Sequence, residues 1–316
     1  MRGSSRVRLW TALWIVYLVW GSTYLGIKIA VRTLPPLLTA GTRFLAAAGI
    51  LALIAVAARR SLRVAPREAL SAAALGVALL TLGVGMVHVA ETRIDSGVAA
   101  MIAGSVPLQI VLMRRLVGEQ VPRATAFAAV VGLVGLALVV GPGGFGGGSE
   151  AIGLLVMLSA SISWALGSFA ARTVRLPSDA FVASAYEMLG GGAVLLVAAI
   201  LAGELGDLDS SALQPGPLAA WAYLTVAGSV IGFSAYAWLL GNAPISQVVT
   251  HQYVNPLVAI VLGAIVLGET FDAATILGGL IVIGAVFATI RSESRNPASV
   301  PAIVEQARSA PPVRAK

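Results

Sequence analysis

The 316 residues contain no cysteine and little charge: 11% are Asp, Glu, Lys or Arg, and only two are histidine. Without cysteine there is no disulfide framework, no thiolate nucleophile and no cysteine-based metal site. The scarcity of charge excludes a soluble fold. Soluble domains carry about 25% charged residues, and they still have to expose much of their surface to water. Here 58% of the chain is hydrophobic and the mean hydropathy is +0.91, so the solvent it is built for is lipid. Other signatures are missing too. There is no Walker sequence for ATP hydrolysis and no H-E-x-x-H pair for a metalloprotease, so neither a cofactor nor a metal is expected. The net charge of +7 comes from basic residues scattered in short loops, with no patch interleaved with aromatics. That pattern fits membrane topology and leaves nucleic acid out as a partner.

What is present is a series of apolar runs. A helix needs about 20 apolar residues to cross the hydrocarbon layer. Ten such runs occur, roughly at 10–31, 37–57, 69–90, 95–113, 124–142, 150–171, 180–202, 217–240, 246–267 and 273–290. The basic N-terminus and first run resemble a signal peptide, but no small-residue cleavage site follows and the run continues to spanning length. With the N-terminus inside, the cytoplasmic connections ahead of the tail hold twelve Lys and Arg, against three (Lys28, Arg32, Arg93) on the opposite side. The connection at 203–216 carries Glu204, Asp207 and Asp209 without a base. Both termini are therefore expected in the cytoplasm. The expected organisation is a short N-terminal segment 1–9, a first five-helix unit 10–142, a glycine-rich linker 143–149, a second five-helix unit 150–290 and a disordered tail 291–316.

A displacement of 144 residues lays "AGTRFLAAAG" (40–49) on "SAYEMLGGGA" (184–193). It places Arg43 on Glu187, Trp20 on Trp164, Tyr24 on Ser168 and Lys28 on Arg172. Near the end of each half, "SVPLQIVLMRRLVGE" and "VNPLVAIVLGAIVLGE" each carry a proline, Pro107 and Pro256, and a closing Gly-Glu. An odd period of five spans makes the second copy enter the membrane upside down. The predicted fold class is thus all-α, ten transmembrane helices in two inverted five-helix repeats, the architecture of secondary transporters.

The runs "VWGSTYLGIKIA", "HVAETRIDSGVAAMIAGSVPL" and "HQYVNPLVAIVLGAIVLGE" resemble the EamA-domain branch of the drug/metabolite transporter superfamily. The resemblance spans about 14–290. It implies a ten-helix carrier for export or uptake of small metabolites, including amino acids and drugs, with export expected here, and it does not fix the substrate. Nothing marks an organelle address, so a bacterial inner membrane is the expected location. His251 departs from the family pattern, where many relatives have an aromatic or apolar residue.

Residues four apart share a helix face. Trp20, Tyr24 and Lys28 form one such stripe, Trp164, Ser168 and Arg172 its counterpart, and Gln247, His251 and Asn255 a third. Aromatic-plus-cation stripes suit an amphipathic solute with a carboxylate or phosphate. The same cations also read as interfacial anchors, and the tryptophans as packing. Asn255 precedes Pro256, expected to break its helix and free a carbonyl beside a polar cavity; Pro107 is the matching break, with Gln109 a weaker polar counterpart. Arg43 and Glu187 are the embedded charges, each about 10 Å from opposite surfaces by helix rise. Facing a cavity, Glu187 is the first candidate for proton coupling and His251 the second; locked by neighbours, each charge is merely structural. His88 and Glu91, three residues apart, read as a pH sensor or as interfacial anchors.

Two rival classes remain open. A channel or a non-transporting scaffold or receptor lacks the charge rings and filter sequences expected of it. An intramembrane serine hydrolase would use Ser234 with His251, and finds no supporting acid. The partners expected are a small solute and the bilayer. Oligomeric state is left open, since one chain holds both halves of a cavity.

Overall fold

A computed structural model describes residues 3–141, 148–208, 211–243 and 245–294. The described residues are helical, in ten elements separated by tight connections. We label them α1 (Gly3–Ala30), α2 (Pro36–Ala57), α3 (Pro66–Ala90), α4 (Ser96–Leu116), α5 (Arg123–Val140), α6 (Ser149–Ala170), α7 (Ala180–Leu201), α8 (Pro215–Leu239), α9 (His251–Leu267) and α10 (Ala273–Ser294). Nine of the ten are long and apolar enough to cross a membrane; α9 is shorter and is preceded by a separate turn, Ile245–Val248. Most of the linker and tail, and Asp209, lie outside the described residues. Helix α10 runs four residues into the segment expected to be disordered, and α1 starts seven residues earlier than expected.

Sequence explains where the elements begin and end. Proline opens α2, α3 and α8, where its missing N–H costs nothing and its φ is already helical. Gly118 after α4 and Gly268 after α9 take positive φ, 83° and 70°. That left-handed turn suits glycine and swings the following Glu119 and Glu269 back against the bundle.

Packing repeats with pseudo-twofold logic. Helix α1 lies against α8 and α9, and α6 lies correspondingly against α3 and α4. Helix α2 meets its own counterpart α7, and α5 meets α10. Small residues allow these crossings. A Cβ on Gly41 would stand 2.9 Å from the Leu196 nitrogen, and one on Gly135 would stand 2.8 Å from the Gly278 carbonyl. Large apolar side chains such as Leu53, Phe127 and Ile265 face outward, as a lipid-solvated surface requires. The start of α1 and the end of α10 lie at one end, called terminal; the connections after α1, α3, α7 and α9 lie at the other, the distal end.

Helical geometry is interrupted at related places. Residues Val77–Gly85 of α3 and Leu224–Ile231 of α8 are π-helical, as is Gly263–Leu267. Such widened turns recur at functional sites because they leave backbone groups free to bond elsewhere.

Candidate functional site

The π-helical stretch of α8 organises the centre of the molecule. Its Gly228 carbonyl accepts from Trp20 Nε1 at 3.1 Å, and Ser229 Oγ accepts from Arg43 Nε at 3.0 Å while donating to the Leu224 carbonyl at 3.2 Å. A side chain at Gly228 would approach Arg43 Nη2 to 3.1 Å, and one at Gly232 would overlap Trp20 Nε1. Both glycines are thus space for the two large residues. Arg43 is 4% exposed, and its Nη1 has no hydrogen-bond partner among the described residues. A buried donor left unsatisfied is costly, so this nitrogen is the strongest indication of a ligand-binding centre.

Trp20 stands in an aromatic box with Phe233, Tyr236 and His251, at centroid distances of 5.4, 5.0 and 5.3 Å. His251 is buried, with Nδ1 2.8 Å from the Val248 carbonyl. In the amide orientation that satisfies both neighbours, Asn255 donates to the carbonyls of Tyr17 (3.3 Å) and His251 (3.2 Å). Gln247 is not part of this group. It sits exposed on the short turn before α9, because the helix is interrupted at residues 249–250. Nor does Pro256 break its helix: it lies inside a continuous turn and packs where a Cβ on Gly104 would be 2.8 Å from its ring. Pro107, by contrast, opens a new helical segment after a break at Ser105.

The first repeat supplies a simpler mirror image. Trp164 covers Gly83 of the α3 π-helical stretch, whose Ala78 carbonyl accepts from Ser163 at 2.9 Å. Gln109 donates to Ser105 and Ser161 at 2.9 and 3.0 Å. Ser168 is half-buried on the same helix. Glu187 is half-buried on α7, with its backbone carbonyl pressed against Gly76. No ion pair joins it to Arg43 among the described residues.

Lys28 and Arg172 stand at the two ends rather than along the centre. Lys28 Nζ donates to the carbonyls of Glu91 (2.9 Å) and Ile94 (2.7 Å) at the distal end, with half-buried Tyr24 one turn below. Arg172 Nη2 donates to Glu119 at 2.8 Å at the terminal end, and Arg114 holds the same carboxylate at 2.8 Å. Two further contacts cross between repeats distally. Glu204 accepts from the backbone nitrogens of Leu37 (3.2 Å) and Leu38 (2.7 Å), capping α2. Glu269 accepts from Ser96 N and Oγ and from Gly97 N at 2.8, 2.7 and 3.0 Å, capping α4. At the terminal end, Asp179 caps α7 through Phe181 N (2.9 Å) and Val182 N (3.3 Å), and Arg60 grips it at 2.8 Å. Sequence reading missed these closures. One signal was available: Glu204 lies 144 residues after Arg60, and Asp179 lies 144 after Pro35.

Ten apolar helices in two inverted repeats, with matched closures at both ends, define a membrane transporter of the inverted-repeat class. The chain belongs to the EamA-like transporter family, whose model matches residues 9–141 and again 151–291. It is similar to the uncharacterized inner membrane transporter YedA of Escherichia coli K12, 39% identical over 92% of this chain and 93% of that one. It is also similar to the uncharacterized transporter YvbV of Bacillus subtilis, 25% identical over 92% and 95%. The WAT1-related chloroplastic protein At3g02690 of Arabidopsis thaliana is 25% identical over 88% of this chain and 68% of its own length. One solved structure shares the fold, with a TM-score of 0.62 at 20% identity over 95% of this chain and all of that one.

Proposed function

We propose that the protein is a secondary carrier that exports small amphipathic metabolites by alternating access, with both termini cytoplasmic and the distal end facing outward. The supporting observation is the pair of cross-repeat closures at each end, which flank a centre holding an unsatisfied buried arginine beside an aromatic box. Arg43 Nη1 takes the anionic group of the solute and the Trp20–Tyr236 rings take its apolar part. Releasing the two distal closures while the terminal pair holds opens one access route; the reverse opens the other. Glu187, a carboxyl with no hydrogen-bond partner among the described residues, is the coupling group in the terminal half, with His251 as the alternative. The orientation rests on the twelve-to-three bias of basic residues.

Counterflow tests this reading. Purified protein in liposomes, loaded with a mixed pool of unlabelled metabolites, is expected to accumulate one labelled solute class saturably. Glu187→Gln is expected to lose the pH dependence of that exchange, and Arg43→Gln the exchange itself. Non-saturating flux would indicate a channel, and no flux from folded protein a scaffold.

A further inference from the structure

The distal end holds a second group of buried ionisable residues that the central site does not use. Glu91 is the C-cap residue just after α3 and is 1% exposed, and neither of its carboxylate oxygens has a hydrogen-bond partner among the described residues. One helical turn deeper on the same face is His88, 0% exposed. Its Nδ1 lies 2.9 Å from the Val84 carbonyl, which can only accept. Nδ1 therefore carries the hydrogen, and in the neutral ring Nε2 is a bare acceptor. Nε2 too is buried without a partner. Two neighbouring acceptors with nothing donating to them form a site for a positively charged donor.

The surroundings narrow the choice to the smallest one. Lys28 and Tyr24 face Glu91 from α1, and Glu269 faces it from the α9–α10 connection. Arg43 faces His88 from α2. At the start of α6, Glu150 faces Asp95 rather than Glu91. Lys28 has its ammonium committed to two backbone carbonyls, so it shields Glu91 without hydrogen-bonding its carboxylate. Glu269 is committed to the α4 N-terminus. A bare carboxylate in such a place is strongly disfavoured. A metal ion would need several ligands held together, and no group of three or more His, Asp or Glu placed to hold one occurs among the described residues.

We propose that Glu91 and His88 form a proton-binding site beneath the distal closure, with Glu91 holding the proton while that end is shut. When the Glu269–Ser96 contact opens and water enters, the Glu91 O–H bond breaks and the proton passes to water. The carboxylate left behind is balanced by Lys28. Closure reverses the step, so each distal opening and closing exchanges one proton with that side. His88 Nε2 is the next acceptor inward, toward Arg43. The role in coupling rests on the carrier reading; the proton site itself does not.

Infrared difference spectroscopy on purified protein in lipid nanodiscs, titrated with pH, separates the two. The expected result is a protonated-carboxyl band that persists to a midpoint at least ~1 pH unit above the ~4.3 of an exposed glutamate. It is expected to vanish in Glu91→Gln, to stay in Glu187→Gln measured alongside, and to change midpoint in His88→Gln. Identical spectra from wild type and a folded Glu91→Gln overturn the proposal, whatever counterflow shows. Should Glu91→Gln fail to fold, Glu91→Asp carries the test, since a band unmoved by shortening that side chain overturns it equally.

Discussion

The distal and terminal ends of this molecule close the same junctions with different chemistry. Distally, Glu204 reaches the open N-terminus of α2 directly, because the N-cap position is Pro35, whose side chain can accept nothing. At the terminal end, the residue 144 places earlier than Glu204 is Arg60, and the residue 144 later than Pro35 is Asp179. There the cap is built into the helix it serves, and the other repeat contributes a cation to hold it. The second pair diverges in the same way. Glu269 spends both oxygens on backbone and hydroxyl donors of α4, whereas Glu119 is held by Arg172 and Arg114. Inverted repeats need matching contacts at the two ends, and this pair shows that the contact is retained while its donors and acceptors change. The distal closures are carboxylates on helix N-termini; the terminal closures are ion pairs.

The comparison is broken most forcefully at Glu269. Its removal leaves Ser96 N, Ser96 Oγ and Gly97 N without partners, and hydrogen bonds to a charged group are worth about 1.5–3 kcal/mol each. Because the chain has no cysteine, a single introduced thiol reports accessibility without background. In Glu269→Ala, a thiol at buried Ala99 is expected to label at least ~10-fold faster, a change equivalent to about 1.4 kcal/mol. A thiol at Ala183, the buried counterpart near the terminal end, is expected not to change. Equal acceleration at both positions would mean that the ends are not independent.

A smaller effect separates the two helix caps. Glu204→Ala and Asp179→Ala each remove a cap, at a cost of about 1 kcal/mol. Arg60→Ala is expected to cost less, because the Arg60–Asp179 pair is about one-third exposed and surface pairs contribute at most ~1 kcal/mol. Salt sharpens the contrast. Raising ionic strength is expected to speed labelling at the terminal end of wild type and leave the distal end unchanged. A salt response that survives Arg60→Ala would assign it to Arg172–Glu119 instead.

How much of this could be read from sequence depended on whether function lay in residue identity or in position. The ten spans and the inverted repeat were legible, because apolar run length and recurring large residues are properties of the letters themselves. The closures were not. The repeat displacement was recognised from matching residues, and Arg60 against Glu204 is a mismatch in which only the position is shared. The helix face that Lys28 shares with Trp20 left cavity lining and interfacial anchoring equally open, and the structure places it two residues from the end of α1, where backbone carbonyls just after α3 take its ammonium. The stripe through Gln247 failed because a four-residue period assumes an unbroken helix, and the interruption at 249–250 turns Gln247 outward. Proline was an unreliable guide to breaks, since Pro107 opens a segment and Pro256 lies within one. The π-helical stretches that place Gly228 and Gly83 against the tryptophans carry no proline and no charge, so nothing in composition marked them.

The faintest expected difference between the ends is also the one with opposite signs. Burial alone would raise the Glu119 carboxyl, but hydrogen bonds and charge from Arg172 and Arg114 outweigh it and hold its pKa below the ordinary value. A depressed carboxyl contributes to closure above the free value of ~4.3, and that contribution is lost as pH falls through the lower value of the closed state. Asp95 at the distal end is shifted the other way, by burial first and then by Glu269, with Lys28 opposing and Glu150 adding to the rise. A raised carboxyl favours closure below the free value of ~3.9 and loses that contribution as pH rises through the higher value. Acid is therefore expected to loosen the terminal end below about pH 4 and to tighten the distal end over the range just above it. Both groups are substantially exposed, so the change is small and best read as a ratio: Ala183 thiol labelling over Ala99 thiol labelling, across pH 3 to 6, with a permanently reactive reagent. A ratio that rises on acidification in wild type and flattens at its acid limb in Glu119→Gln would tie the terminal closure to that carboxyl. A ratio that falls would mean that the distal end is the one acid opens, and the assignment of the two closures to opposite charge chemistries would have to be reversed.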